Sequence, residues 1–147
     1  MREIQGFFDK LFLTESRLGP GQIEGGNLIV PVSGLEVWAS HPLVKEGYGY
    51  GPHEGELIFE GVVDSRRVFS EYDSNFKTPK DFKAPREVID DIPVASYLEG
   101  EIIQEYGFEG TQNEPRAWIH EWIVHARSFK LRVHALSSSA IPEKIPK

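Results

Sequence analysis

The sequence has no cysteine among its 147 residues. Disulfide bonds, thiolate metal sites and thiol nucleophiles are therefore excluded, and nothing in the composition argues for an oxidising compartment. A chain of this length can bury about 70% of the surface that its unfolded form exposes, so it needs no cross-links to fold. We expect one globular domain.

Basic residues are scarce relative to acidic ones. The chain carries 16 Lys and Arg residues against 23 Asp and Glu residues, a formal net charge of −7 at pH 7. Nucleic-acid binding depends on cationic side chains that replace phosphate counterions, and this composition offers no such footprint. The same charge favours a basic protein partner.

Long hydrophobic runs are also missing. The apolar cluster near the start of the chain is interrupted by Asp9 and Lys10, so it is too short and too charged for a signal peptide or a membrane span. The sequence therefore predicts a cytoplasmic protein without a membrane partner.

What the chain does contain is short segments in which apolar and polar residues alternate, as they do in half-buried β-strands. Residues 56–72 give the clearest pattern, which fits one long or bent strand, or a hairpin turning near Asp64 and Ser65. The runs NLIVPV and LEVWAS predict two strands joined by a tight turn at Ser33 and Gly34.

The second half of the chain is less uniform. Residues 73–93 carry three prolines and many charges without a period, which predicts a long surface connection. Alternation returns over residues 97–110 and 129–136. Residues 115–127 fit a strand or a helix, because Trp118 and Trp122 are spaced for either.

A change of parity between Ala126 and Phe129 predicts a bulge or a turn between two strands. At the other end of the chain, residues 4–13 have apolar side chains at helical spacing and predict a short helix. The polar segment 137–147 predicts a flexible tail after a single β-rich domain at 1–136.

The expected fold is mostly β, as a single antiparallel sandwich or partly closed barrel with a short N-terminal helix. The predicted core consists of apolar residues on the inner side of the strands: Leu28, Val30, Val37, Trp38, Leu57, Phe59, Val63, Phe69, Leu98, Ile102, Phe108, Trp122, Phe129, Leu131 and Val133.

The loop GYGYGPHEGE at residues 47–56 is the most conspicuous candidate site. A phosphate-binding loop needs a helix after it and a lysine within it, whereas this loop leads into a predicted strand. Its glycines fit a connection that needs positive φ angles. Tyr48 and Tyr50, with His53 beside them, remain candidates for contact with a partner.

The histidines offer no metal site. His120 and His125 are five residues apart, so neither a helix nor a strand points both at one ion. No motif selects a catalytic residue, and the sequence predicts no cofactor.

Carboxylates form a row on one side of the predicted strand at 97–110. Glu99, Glu101 and Glu105 are the candidate contacts there, and Glu56, Glu60 and Asp64 extend the row if the two strands are neighbours. These residues are also what the solvated side of a half-buried strand contains. Such a face would attract a basic partner.

Three runs, GNLIVPVSGLEVWASHPL, GELIFEGVVDSRRVFSEYD and WIHEW, resemble small bacterial proteins, some of which are thought to be immunity proteins of toxin systems. The resemblance spans residues 26–73 and 115–133. It implies an acidic, non-enzymatic binding module that neutralises a basic toxin by covering it. The alternative is an enzyme or small-ligand-binding β-barrel with an aromatic-lined pocket.

Overall fold

The computed structural model describes residues 2–71, 86–93, 101–113 and 116–135, and β-strands dominate them. The strands are β1 (Arg2–Gln5), β2 (Leu11–Phe12), β3 (Arg17–Leu18), β4 (Gln22–Glu24), β5 (Asn27–Val37), β6 (His53–Glu71), β7 (Arg86–Pro93), β8 (Gln104–Asn113) and β9 (Arg116–Ala135). A 3₁₀ turn at Phe8–Lys10 and a helix α1 at Pro42–Lys45 are the helical elements of these ranges. The prediction of a mostly β chain is confirmed.

All nine strands belong to one sheet in the order β1-β9-β8-β3-β5-β6-β7, with β2 and β4 also paired to β5. A further pairing joins β9 to β6, so β9, β8, β3, β5 and β6 form a closed circuit of neighbours. Within the described ranges every pairing is antiparallel except that of β3 with β8, which is parallel where Arg17 meets Thr111.

The longest pairing joins β6 to β9, from Glu54 opposite Ala135 to Glu71 opposite Ala117. Residues 56–71 are therefore part of one continuous strand. Residues 116–127, from the segment that fitted a strand or a helix, are a strand, and residues 72 and 115 lie outside the described residues. Both strands turn apolar side chains inward, where these side chains are buried away from water. The buried residues of β9 are Ala117, Ile119, Trp122, Val124, Ala126, Phe129, Leu131 and Val133.

The parity change between Ala126 and Phe129 lies within the single strand β9, and β6 reverses its faces directly opposite. The register of the two strands does not shift there; the nearest bulge lies between Val62 and Asp64. Phe59 and Val62 of β6 are both buried although they are three residues apart. Gly61 lies between them with φ +61°, a left-handed conformation that favours glycine. The Arg127 Nη1 donates to the carbonyl of Gly61 at 2.9 Å and closes the irregular step.

Aromatic rings fill the core where β6, β8 and β9 meet. Phe8 packs edge-on against Phe129, with centroids 5.0 Å apart, and against Tyr106 at 5.1 Å. Phe108 stacks on Phe59 at 5.6 Å and on Trp122 at 5.0 Å. Each such ring pair adds roughly 0.5–1.5 kcal/mol beyond the burial of its area.

Two polar partners lie beside Trp122 in this core. Its indole N–H donates to the Ser65 Oγ at 2.8 Å, so the buried nitrogen is satisfied. The guanidinium of Arg67 lies over the Trp122 ring at 5.0 Å and over the Phe69 ring at 4.7 Å. Arg67 also donates to the Gln112 Oε1 at 3.1 Å, which ties β6 to β8 across β9.

Most of the predicted core is confirmed. The buried members are Leu28, Val30, Val37, Leu57, Phe59, Phe69, Trp122, Phe129, Leu131 and Val133. Trp38, Val63 and Phe108 are only half-buried; for Val63 the reason is the bulge between Val62 and Asp64, which shifts its parity. Ile102 was wrongly assigned to the core, since it precedes β8 and is 79% exposed. Leu98 and the segment 137–147 lie outside the described residues.

The predicted N-terminal helix is wrong. Ile4 instead sits in β1, opposite Leu131 of β9, where pairing with a buried strand stabilises the extended form. Gly6 and Phe7 then adopt positive φ angles of 79° and 61°, which no right-handed helix accommodates. This bend turns Phe8 into the aromatic core.

Two other boundaries differ from the prediction. Ser33 and Gly34 do not form a turn; they are a bulge within the single strand β5, where the register against β6 shifts between Val32 and Leu35. The segment 86–93 is the strand β7, although residues 73–93 were predicted as a connection. The backbone of β7 pairs with β6 along its length, and this pairing stabilises a strand whose charged sequence has no strand-like pattern.

Two glycines in regular strands give a matched test of packing. A Cβ added at Gly55 would lie against the carbonyl oxygen of Arg132, far inside van der Waals contact, whereas one at Gly107 would meet nothing within 4 Å. We expect Gly55→Ala to destabilise the fold by about 1–3 kcal/mol and Gly107→Ala to change it by less than about 0.5 kcal/mol. Urea unfolding of the two variants checks this, and equal midpoints would contradict it.

Candidate functional site

The carboxylates of β6 face the basic residues of β9. Glu56 Oε1 accepts from Arg132 at 3.3 Å and from His134 at 2.9 Å. Glu60 lies 3.9 Å from the Lys130 ammonium, which also approaches Glu3. The hydrogen bond from Arg132 lowers the pKa of Glu3. This part of the predicted acidic row is therefore interleaved with cations.

The two described carboxylates of the other half of the row are also paired. Glu101 accepts from Arg127, and Glu105 accepts from the His125 Nε2 at 3.1 Å. The opposite nitrogen of His125 donates to Asp64 at 2.6 Å. Hydrogen bonds to the two carboxylates, that to Asp64 first, raise the pKa of His125. Glu99 lies outside the described residues.

Glu105 also borders a groove with a volume of about 540 Å³. Among the described residues neither lysine nor arginine lines it, whereas four carboxylates do: Asp9, Glu105, Glu109 and Glu121. Its apolar wall includes Leu11, Phe108 and Ile123. We call this depression the acidic groove. It combines apolar surface with several carboxylates, one of which, Glu105, is bonded to His125.

The strand order explains this concentration of charge. Glu105 and Glu109 come from β8, Glu121 comes from the neighbouring β9, and Asp9 comes from the 3₁₀ turn that follows β1. Glu109 accepts from the Thr14 hydroxyl at 3.2 Å, and Asp9 lies 3.7 Å from Lys10. The sequence identified only Glu105 as a contact, because nothing in it places Asp9 or Glu121 beside β8.

Two further depressions meet the acidic groove at Glu105. One of about 390 Å³ contains Asp64, Arg66, Asp91 and His125, and the other, of about 400 Å³, contains Tyr106 and residues around the 3₁₀ turn. Glu105 is thus the carboxylate common to all three. Its surroundings form a surface broad enough for a polypeptide segment.

The tyrosine loop lies elsewhere, beside the start of β6. Tyr48 is 38% exposed, and Tyr50 is half-buried. The loop is tied to the fold, since the Tyr50 carbonyl accepts from Val37 at 2.9 Å and the Tyr48 N–H donates to Leu43 at 3.0 Å. Gly47 and Gly51 have φ angles of 96° and 133°, as a connection with positive φ requires. The structure does not bring these tyrosines together with Glu105, which lies beside His125 further along the sheet.

His53 is fully buried, so in this conformation its ring is not accessible to a partner protein, contrary to the prediction. Its Nε2 donates to the Gly49 carbonyl at 2.9 Å and holds the loop against the sheet. His41, also fully buried, caps α1 by accepting from the Leu43 N–H at 3.1 Å. Its Nε2 has no hydrogen-bond partner among the described residues. Burial, and then the charge of His53, lowers the pKa of His41 to about 4.

One serine and one histidine are in hydrogen-bond contact, at Ser70 Oγ and His120 Nε2, 2.5 Å apart. The ring of Trp118 packs on His120 with centroids 4.1 Å apart. In the described part of the chain no carboxylate is hydrogen-bonded to this histidine, so the pair lacks the orienting group of a catalytic triad. No three His, Asp or Glu side chains in those ranges converge to hold a metal ion.

No helix in the described ranges has the length and apolar character needed to cross a membrane. Comparison of the chain with protein families, with curated proteins and with solved structures finds no match. The assignment of a function therefore depends on the geometry of the acidic groove.

Because the pKa of His41 is about 4 in the folded protein and about 6.5 when exposed, folding disfavours its protonation. Above pH 6.5 the His41 ring is neutral in both states and its burial costs no stability. As the pH falls toward 4 the unfolded chain binds a proton that the folded protein does not, so the free energy of unfolding decreases. His41→Asn keeps a capping acceptor without a titrating ring. We expect wild type to lose about 2 kcal/mol more than this variant between pH 7 and pH 4.5. Urea unfolding at the two pH values measures the difference. The exposed His134→Gln serves as control and should lose as much stability as wild type. Equal losses for wild type and His41→Asn would contradict the prediction.

Proposed function

We propose that the protein is an acidic, non-enzymatic protein-binding module that takes a basic segment of its partner in the acidic groove. The observation that carries this proposal is that Asp9, Glu105, Glu109 and Glu121 line one groove, with no lysine or arginine among its described lining residues. Carboxylates concentrated on an uneven, partly apolar surface create a field that attracts cations and speeds association.

Ion pairing supports some of these carboxylates over others as the groups that bind the partner. Glu56, Glu60 and Glu3 are balanced by Lys130 and Arg132, so they contribute little net field to the surface. Glu109 and Glu121 are the better candidates, since neither has an ion-pair partner among the described contacts, whereas Glu105 is bonded to His125 and Glu101 to Arg127. Tyr48 and Tyr50 stay candidates for a separate contact, since an exposed tyrosine orders at little entropic cost.

A bacterial immunity protein that neutralises a basic toxin in the cytoplasm is the form of this function that the sequence resemblance implies. Inhibition by covering requires a rigid face more than it requires catalytic groups. The long pairing of β6 with β9 supports such a face. We also propose that the closed circuit of strand pairings makes the sheet a partly closed barrel rather than a sandwich, because a sandwich separates its strands into two sheets.

The alternative, a small-ligand site lined by aromatic residues, has less support. The aromatic rings of the core lie 5.0–6.0 Å from one another and fill the space between β6, β8 and β9. The Ser70 and His120 contact is the feature that would favour an enzyme, and among the described contacts no carboxylate is hydrogen-bonded to that histidine.

The proposal is tested by titrating a fluorescent oligolysine peptide into the protein. Replacing Glu105, Glu109 and Glu121 by glutamine removes three groove charges while keeping the size of each side chain. We expect the variant to bind the peptide at least about tenfold more weakly, equivalent to about 1.4 kcal/mol. Wild-type affinity should fall steeply between about 50 and 500 mM salt, because the contact is electrostatic.

The matched control replaces Glu24, Glu36 and Glu54 by glutamine, which changes the net charge equally at positions outside the groove. If the control variant loses as much affinity as the groove variant, binding reflects total charge and the groove has no special role. An unfolding curve for each variant establishes that the fold is intact.

A further inference from the structure

The strand β7 forms one end of the strand order. Among the described strands it pairs with β6 alone, along its whole length from Arg86 opposite Glu71 to Pro93 opposite Asp64. An edge strand carries backbone N–H and C=O groups that point away from the sheet and are available to another strand. Among the described residues, β7 therefore offers an edge on which a polypeptide segment can pair.

The side chains of β7 differ between its two faces. Val88 packs against the core, whereas Glu87, Ile89 and Asp91 alternate with it and are exposed, Ile89 to 53%. The outward face thus presents an acidic, an apolar and an acidic side chain in succession. Within the described residues Glu87 has no ion-pair partner, and Asp91 lies 3.4 Å from Arg66.

We propose that β7 accepts an extended segment of the basic partner as an added strand, with a sequence of the form basic, any, apolar, any, basic. The inference rests on the proposed function only in taking the partner to be basic. Directly opposite residues in paired strands have Cβ atoms about 4.5–5.5 Å apart. The added strand therefore places a cation beside Glu87 and Asp91 and an apolar side chain beside Ile89.

The neighbouring face of the sheet extends this contact. Val68 lies opposite Ile89 and is half-buried, and Trp118 lies opposite Ser70 on the same face with 43% of its surface exposed. Exposed tryptophan is a frequent anchor of protein interfaces. Residues of the partner that precede or follow the added strand can therefore contact the apolar surface of Val68 and Trp118.

A second copy of the chain fits this edge poorly. Antiparallel pairing of two β7 strands about Ile89 sets Glu87 of each copy opposite Asp91 of the other. Like charges directly opposite each other destabilise a strand pair, which is a common device against edge-to-edge association. Charge complementarity instead selects a basic strand, and the symmetry of the pattern permits either strand direction.

The experiment uses a fluorescent peptide with the core Lys-Thr-Ile-Thr-Lys. Two derivatives are N-methylated, one at the threonines and the other at the lysines and isoleucine. Alternate N–H groups of a strand point in opposite directions, so strand addition predicts that one derivative loses binding by at least about tenfold and the other keeps it. Equal affinity of both derivatives would overturn the inference.

Charge reversal gives an independent test. Glu87→Lys should weaken binding of the lysine peptide at least about tenfold and should favour the corresponding peptide Glu-Thr-Ile-Thr-Glu. Glu24→Lys, at an exposed position of β4, makes the same change of net charge away from β7. If the two variants lose the same affinity, or if the lysine peptide does not bind wild type, the inference is wrong.

The two proposals fail separately. The groove variant with Glu105, Glu109 and Glu121 replaced by glutamine should still bind the Lys-Thr-Ile-Thr-Lys peptide if β7 is its site. Loss of that binding in the groove variant, with Glu87→Lys unaffected, would assign the peptide to the acidic groove and leave the proposed function standing. If the Lys-Thr-Ile-Thr-Lys peptide binds at β7 but oligolysine binds the groove variant as tightly as wild type, the proposed role of the acidic groove is wrong and the inference on β7 stands.

Discussion

The pairing of β6 with β9 is the interaction on which the rest of the molecule depends. β9 carries β1 and β8 along its length, and β6 carries β5 and β7, so both open edges and the closed circuit of strands are positioned by this one ladder. The ladder also determines the electrostatics. It sets Lys130 and Arg132 beside the carboxylates of β6, and leaves the carboxylates of β8 to face the apolar wall of the acidic groove.

Much of the fold was predictable from period-two alternation, because burial on one side of a strand imposes that pattern on the sequence. Leu57, Phe59, Leu131 and Val133 were identified in this way. The errors arise where tertiary pairing overrides local pattern. Residues 4–13 have helical spacing, yet Ile4 gains more from β9 than an isolated turn of helix offers.

The candidate site was less predictable, for a different physical reason. Alternation tells which side of a strand a residue occupies but not which strand lies beside it, and the charge of a surface depends on that neighbour. Glu105 was found because it belongs to a row, whereas Glu121 and Asp9 join it only through the strand order. His53 looked like a loop residue, and its burial follows from a hydrogen bond to Gly49 that no sequence pattern signals.

The paired reversal of faces at Gly61 and Arg127 has a consequence for how this sequence can change over generations. Because both strands reverse their faces at the same step, each has a residue more than strict alternation needs, and the two surplus residues face each other. Removing one alone would turn half of that strand inside out against its partner. A length change near residue 61 is therefore tolerated only with a compensating change near residue 127, which couples two sites far apart in the gene.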